Sequence, residues 1–390
     1  MNKGIFYGKQ SINSKDINSV IKVLKSSFIT QGPIINRFEK KLRDFVGAKY
    51  AIVSNSATSS LILACKAMNL DNKDIVWTSA NTFVSTANCA LHCGSKINLI
   101  DIDLNTGNLC IEDLSKRLFE AKKKKKLPSL LIPVHFAGQP TEQEEIWKLS
   151  KKYNFRVIED ASHSLGASRK KNKVGNCKWS DVVISSFHPV KTITTGEGGV
   201  CFTNNKTLFN RIVALRTHGI YKNAKLKNFS NKNQFWYFDQ KLLGYNFRLT
   251  DIQSALGISQ LSRIKKFITK RKKLSSNYDR FFLNNKKIST LKINKDNTSS
   301  HHLYVIRILD IKKNLRNKLI QYLKVKGIHL NVHYIPVHYH SYFKKLKYLR
   351  KSLPNTEKYF DQALSLPLYP DLKYSDQKYV INSINKFISE

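Results

Sequence analysis

The chain is poor in the residues that mark exported, metal-clasping or membrane-spanning proteins. It has six cysteines in 390 residues, Cys65, Cys89, Cys93, Cys110, Cys177 and Cys201, and no two form a C-x-x-C pair. Cys89 and Cys93 are spaced to share a helix face, but two ligands do not make a metal site. The six read as small buried hydrophobes in a reducing compartment. No run of about 18 apolar residues occurs, so no membrane-spanning helix and no membrane partner are expected. The opening MNKGIFYGKQ has no apolar signal core, and the cytoplasm is the expected compartment. Glycines number only 16. No G-x-G-x-x-G follows a strand, no GKS or GKT occurs, and there is no G-x-S-x-G elbow. A dinucleotide site, a P-loop and a serine hydrolase are thereby disfavoured.

Acidic residues are also scarce, 27 against 67 Lys and Arg, for a formal charge of +40. Such a balance invites a non-catalytic protein that binds nucleic acid or an anionic membrane surface. The lysines, however, are spread along the whole chain, with local runs at 122–126 and 271–273 among others. There is no zinc-finger spacing and no RNP-type aromatic signature. The charge reads as a solvated surface, with no nucleic-acid partner, whose field would draw an anionic substrate.

What is present is a regular alternation of elements. Ile17, Val20, Ile21 and Leu24 predict a helix over 14–26 behind a Ser cap, and Phe38, Leu42, Phe45 and Val46 predict a second ending at Gly47. A strand at 50–54 leads through NSATSS into a helix over 58–68. Further strands are expected at 75–77, 96–102, 129–134, 156–159, 182–187 and 199–203, with helical periodicity between several of them. That order predicts βαβ units and an α/β fold with a mostly parallel central sheet, whose ligands sit beyond the strands' carboxyl ends. A long helix over 252–282 and the mixed segments after it predict a smaller α+β C-terminal domain. The expected division is 1–255 and 256–390.

Three segments carry chemistry. In SSFHPVKTITTGEGG, Lys191 follows a buried strand and precedes Gly196, Gly198 and Gly199. A partly desolvated lysine there has a lowered pKa and an amine that can condense with a carbonyl; alone, it could equally be a surface lysine. In RVIEDASHSLGA, Glu159 and Asp160 fall at a strand end, where a carboxylate could hold a ring nitrogen protonated. A helix cap or a metal ligand is the alternative for Asp160, with His163 three residues on. In SNSATSSL, the backbone N–H groups of Ala57 and Thr58 and the Thr58 hydroxyl can cradle a phosphate at a helix N-terminus. Together a phosphate cradle, an acidic strand end and a lysine fit pyridoxal 5'-phosphate (PLP) better than other common cofactors. No metal is expected.

These segments, with ITQGP, TFVSTANCAL, RTHG, GYNFRLTDIQSALG and VHYIPVH, resemble the DegT/DnrJ/EryC/StrS sugar aminotransferases of PLP fold type I nearly end to end. SSHHLYVI and LNVHYIPVHYHSYF resemble the branch that serves pseudaminic acid biosynthesis. The resemblance implies amino transfer from glutamate to C4 of a UDP-linked 4-keto-6-deoxy-N-acetyl-hexosamine by a homodimer. It implies Lys191 as the cofactor-bearing, proton-carrying residue, Asp160 at the pyridine nitrogen, His163 near the ring oxygen and Phe83 on the ring face. Ala57, Thr58 and Ser186 are implied as phosphate ligands, with Asn246 reaching the neighbouring subunit's phosphate. Tyr7, Phe28, Ile29, Thr30, His333, Tyr334 and Pro336 are implied as substrate contacts. Another nucleotide-sugar 3- or 4-aminotransferase is the alternative. A related 3-dehydratase branch carries histidine in place of the lysine, and Lys191 argues against it. Two positions depart from the pattern: Pro189, where a small residue is commoner, and His302, where that branch has asparagine.

Overall fold

The computed structural model describes residues 4–221, 236, 238–309, 314–350 and 352–389. A short strand β1 (Ile5–Phe6) precedes helices α1 (Ser14–Leu24) and α2 (Pro33–Val46). Strands and helices then alternate: β2 (Tyr50–Ser54), α3 (Ala57–Ala67), β3 (Ile75–Ser79), α4 (Ser85–Leu91), β4 (Lys96–Ile100), α5 (Ile111–Lys123), β5 (Leu130–Ile132), α6 (Gln143–Tyr153) and β6 (Arg156–Asp160). A hairpin of β7 (Ser168–Arg169) and β8 (Asn172–Lys173) comes before β9 (Val182–Ser186), β10 (Gly199–Thr203) and α7 (Lys206–Arg216). Strands β11 (Ile220–Tyr221) and β12 (Asp239–Gln240) pair with each other and lead to α8 (Asp251–Ser262) and α9 (Ile264–Phe282). The last part contains β13 (Ile288–Thr290), β14 (Asn297–Thr298), β15 (Tyr304–Ile308), α10 (Leu315–Val325), β16 (Ile328–His329), α11 (Ser341–Lys344), α12 (Pro354–Gln362), β17 (Ala363–Leu366) and α13 (Tyr374–Ser389).

The central sheet has seven strands in the order β2-β10-β9-β6-β5-β3-β4. From β9 to β4 every pairing is parallel, while β10 runs antiparallel to both β9 and β2. Its strands are near-continuous apolar runs because both faces are covered. Successive side chains alternate between the two cores, so Ile52 packs with α3 and α4 while Val53 packs with α2 and Phe267 of α9. A further core, in which Tyr278, Tyr304, Leu364 and Ile381 are buried, surrounds the sheet β13-β15-β17.

The element types agree with the sequence-based expectations, and the departures have physical causes. The helix cap is Asn13, not a serine: Asn13 accepts from the Asp16 N–H, and the Asp16 carboxylate accepts from the Asn13 N–H. More consequentially, the apolar stripe of α1 does not face this chain's core. Ile17, Ile21 and Leu24 are 53%, 40% and 56% exposed, whereas Asp16 is buried. Its carboxylate accepts from the Gln260 side-chain amide at 2.8 Å and pairs with Arg263. The long helix expected over 252–282 begins at Asp251 and divides at Arg263 into α8 and α9. Arg271, expected on a solvated basic run, lies on the buried face of α9 with Phe267, Leu274 and Tyr278, while Lys272 and Lys273 are exposed. Among the described residues no helix is long and apolar enough to cross a membrane, and no group of three or more His, Cys, Asp or Glu is arranged to hold a metal ion.

Candidate active site

A cavity of about 640 Å³ opens beyond the carboxyl ends of β6 and β9. Ten of the fifteen residues singled out from sequence line it. Tyr7, Ala57, Thr58, Phe83, Asp160, His163, Ser186, Lys191, His333 and Tyr334 all line its wall. Phe28, Ile29, Thr30, Asn246 and Pro336 do not. Phe28 and Ile29 are 57% and 51% exposed, Asn246 is exposed, and Pro336 is buried beside the cavity-lining Ile335.

Local structure explains each placement. Helix α3 begins at Ala57 because Ser56 caps it, accepting from the Ser59 N–H at 3.0 Å. Unpaired N–H groups at a helix start, with a hydroxyl at Thr58, form a site for a phosphate. Gly199 is required for this cradle. A Cβ there would stand 2.4 Å from the Ser56 carbonyl oxygen and 2.5 Å from the Ala57 nitrogen, so only glycine lets β10 approach the loop.

The paired acids of β6 are separated by strand alternation. Asp160 faces the cavity, where its carboxylate accepts from the Thr86 hydroxyl at 2.7 Å and the Ser162 N–H at 3.1 Å. Glu159 points to the other side and is held by the Gln143 side-chain amide at 2.8 Å and by His135 at 3.0 Å. The Thr141 N–H donates to His135 Nδ1, so Nε2 carries the proton that goes to Glu159.

Lys191 sits in a tight turn after β9, with its N–H donating to the His188 carbonyl at 2.9 Å. The Thr195 N–H and the Thr194 hydroxyl both donate to the Phe187 carbonyl, closing the loop back on the strand. Burial lowers the lysine pKa from 10.5 to about 8, against the opposing attraction of Asp160. Near neutrality the unprotonated, nucleophilic form is therefore a minority, yet far more abundant than for a free lysine.

The facing wall is built of neutral imidazoles. His163 Nε2 is hydrogen-bonded to the Tyr334 hydroxyl at 2.9 Å, and its Nδ1 is buried with no protein partner. The His302 ring lies 4.4 Å from that of His163 and also lines the cavity. Burial, then repulsion from Lys191 and His333, pushes the His163 pKa well below the imidazole range, and burial lowers His333 to about 3. His333 Nδ1 meets the Ser365 hydroxyl at 2.8 Å, and the Tyr7 ring lies 5.2 Å away. Phe83 stands 57% exposed at the mouth, 6.2 Å from the Tyr334 ring.

Sequence reasoning missed Thr86, which clamps the cavity acid from 74 residues away. It also missed the His135–Glu159 pair, although His135 follows a buried strand just as Asp160 does. The residues present fit PLP. One cavity holds a helix N-terminus cradle that a Cβ would fill, a carboxylate with neutral donors, an orphaned imidazole nitrogen and a depressed-pKa amine.

Comparison with known proteins agrees. A model of the DegT/DnrJ/EryC1/StrS aminotransferase family matches residues 10–385. A UDP-4-amino-4,6-dideoxy-N-acetyl-beta-L-altrosamine transaminase of Campylobacter jejuni is 40% identical over 378 residues, covering 97% of this chain and 96% of that protein. The solved structure of Helicobacter pylori PseC, an aminotransferase of pseudoaminic acid biosynthesis, superposes with a TM-score of 0.90 at 31% identity, covering 99% of this chain and 100% of that one. The PLP form of the Streptococcus pneumoniae sugar-aminotransferase homologue Spr1654 superposes with a TM-score of 0.88 at 25% identity and 99% coverage of each chain.

Proposed function

Because the chain belongs to the DegT/DnrJ/EryC1/StrS aminotransferase family and is a PLP-dependent sugar aminotransferase, we propose that it moves the amino group of glutamate to C4 of a UDP-linked 4-keto-6-deoxy-N-acetyl-hexosamine. The product would serve surface-sugar synthesis of the pseudaminic acid type. The observation that carries the reading is the convergence of Lys191, Asp160 and the α3 N-terminus on one cavity. The C4 assignment is supported by the Campylobacter and Helicobacter relatives.

When bound, PLP supplies an aldehyde that takes up and returns an amino group, and a ring that accepts the electron pair freed at the donor carbon. The chain's own residues do the rest. Lys191 would hold the cofactor through its amine and, once free, would carry the proton at the donor carbon. Asp160 would keep the ring nitrogen protonated, Ala57, Thr58 and Ser186 would bind the phosphate, and Phe83 and His163 would hold the ring. Tyr7, His333 and Tyr334 orient the sugar. Over the whole cycle glutamate leaves as 2-oxoglutarate, and the sugar's carbonyl oxygen is replaced by the amine.

The homodimer is part of this proposal. Phe28, Ile29 and Thr30 do not line this chain's cavity, yet the segment is braced. The Asp251 carboxylate accepts from the Gly32 and Ile34 N–H groups at 2.7 and 2.8 Å, and the Asp251 N–H donates to the Ile29 carbonyl. A fixed, exposed apolar segment next to the exposed stripe of α1 suits a second copy of the chain. Asn246 of the partner subunit would then complete the phosphate site. We further propose that the large and small domains divide near 255/256, within α8.

The test is to incubate the purified protein with PLP, glutamate and UDP-linked 4-keto sugars of both ring configurations, locating the new amine by NMR. Amine at C4 with a dimer in sedimentation supports the proposal; amine at C3, or turnover by a monomer, refutes the corresponding part.

A further inference from the structure

Arg271 is 1% exposed, and among the described residues no carboxylate lies within ion-pair distance of it. A buried guanidinium without a counter-charge is costly unless its N–H groups are met by acceptors. Its placement therefore calls for a reason. Its hydrogen bonds supply one. Nη1 donates to the carbonyls of Leu368 at 2.7 Å and His302 at 3.0 Å, and Nη2 donates to the carbonyl of Val190 at 3.4 Å. Val190 immediately precedes Lys191. His302 lines the cavity against His163, and the Leu368 N–H donates to the carbonyl of Tyr7, another cavity residue. One side chain from α9 thus ties the lysine turn to two segments of the facing wall, chain regions 190, 302 and 368 that share no strand.

The geometry points to Arg271 as a positioning residue that fixes the lysine-bearing turn against the wall formed by Tyr7 and His302. This rests on Lys191 being the working amine of the site. The planar fork is what suits arginine to the task, since it holds three carbonyls in fixed directions where a lysine offers one nitrogen. Burial lowers its pKa only to about 10, so it remains a cation at neutral pH.

Arg271→Met and Arg271→Lys in the full chain test the idea with two readouts. Competitive acetylation of the cofactor-free protein at a series of pH values, read peptide by peptide by mass spectrometry, gives the titration of Lys191 without using PLP. In the wild type it should fall near 8; in Arg271→Met, as the turn loosens toward water, it should climb toward 10.5. In the holoenzyme kcat should fall on the order of tenfold to a hundredfold, as for a reacting group displaced by a fraction of an ångström to an ångström. KM for glutamate should change little, and the melting temperature should fall, since the buried carbonyls lose their donor. Arg271→Lys should show the same changes at reduced size, and it carries the test if the methionine variant does not fold. Lys191 titrating as in wild type, with kcat per bound cofactor unchanged, overturns the proposal whatever the melting temperature does. A wild type that binds no PLP would sink the functional reading alone, and the acetylation titration would still decide the part played by Arg271.

Discussion

Lys191→Ala is expected to lose turnover by a factor on the order of 10³ or more while remaining folded. Two functions disappear with the one amine: the covalent hold on the cofactor and the proton shuttle, and proton transfer by a positioned side chain alone is worth about 10²–10⁴-fold. The fold should tolerate the change, because the turn is closed by backbone and threonine bonds in which the lysine side chain has no part. The wild type should turn yellow with PLP and the variant should not. The pH dependence follows from the sign of the shift. Burial lowers the lysine pKa to about 8, so the neutral amine accumulates as pH rises through that value and not near 10.5. Cofactor capture by the wild type should accelerate between about pH 7 and 9 and level off above. Lys191→Arg, which keeps the charge without a usable amine, should be as inactive as Lys191→Ala. Turnover by either variant within tenfold of wild type would remove Lys191 from the chemistry.

The second large effect is expected at Asp160. Asp160→Asn should lower kcat by on the order of 10²–10³, since a neutral amide cannot hold a proton on a ring nitrogen, and loss of one preorganised charge contact costs about that much. The side chain is nearly isosteric, and its one amide oxygen can keep either the Thr86 hydroxyl or the Ser162 N–H, which meet different oxygens of the carboxylate. Cofactor capture should persist with an altered visible spectrum. The adjacent carboxylate is a built-in control. Glu159→Gln, on the opposite side of the sheet with His135 and Gln143, should lower the melting temperature while leaving kcat within a few-fold. Equal kinetic losses at the two positions would contradict the assignment of Asp160 as the acid of the cavity.

Much of this was legible in the chain. The apolar strand runs, the helix starts and the order of elements follow from local patterning, and Lys191, Asp160 and the α3 start could be ranked as a set before any coordinates. What was not legible depended on contacts between distant segments. Thr86 is one hydroxyl among many until the fold brings it to Asp160. Arg271 sits in a run of four basic residues, and only the phase of α9 sends it inward while Lys272 and Lys273 stay in water. Periodicity correctly marked α1 as two-faced, but it cannot say whether an apolar stripe meets its own chain; here the charged Asp16 turns inward and Ile17, Ile21 and Leu24 turn out. His302 was visible as a departure from the family pattern, and its meaning lies in the imidazole it rests against.

The alternation along β6 has a consequence for how this gene can change. A single codon gained or lost between Arg156 and Asp160 would rotate the rest of the strand by half a turn, presenting glutamate to the cofactor side and aspartate to His135. The composition would be almost untouched and both acids would survive, yet each would stand in the other's chamber. Deep scanning of insertions and deletions should therefore find these five codons far less permissive than the Lys170–Lys171 tip of the β7–β8 hairpin, where added length goes into solvent.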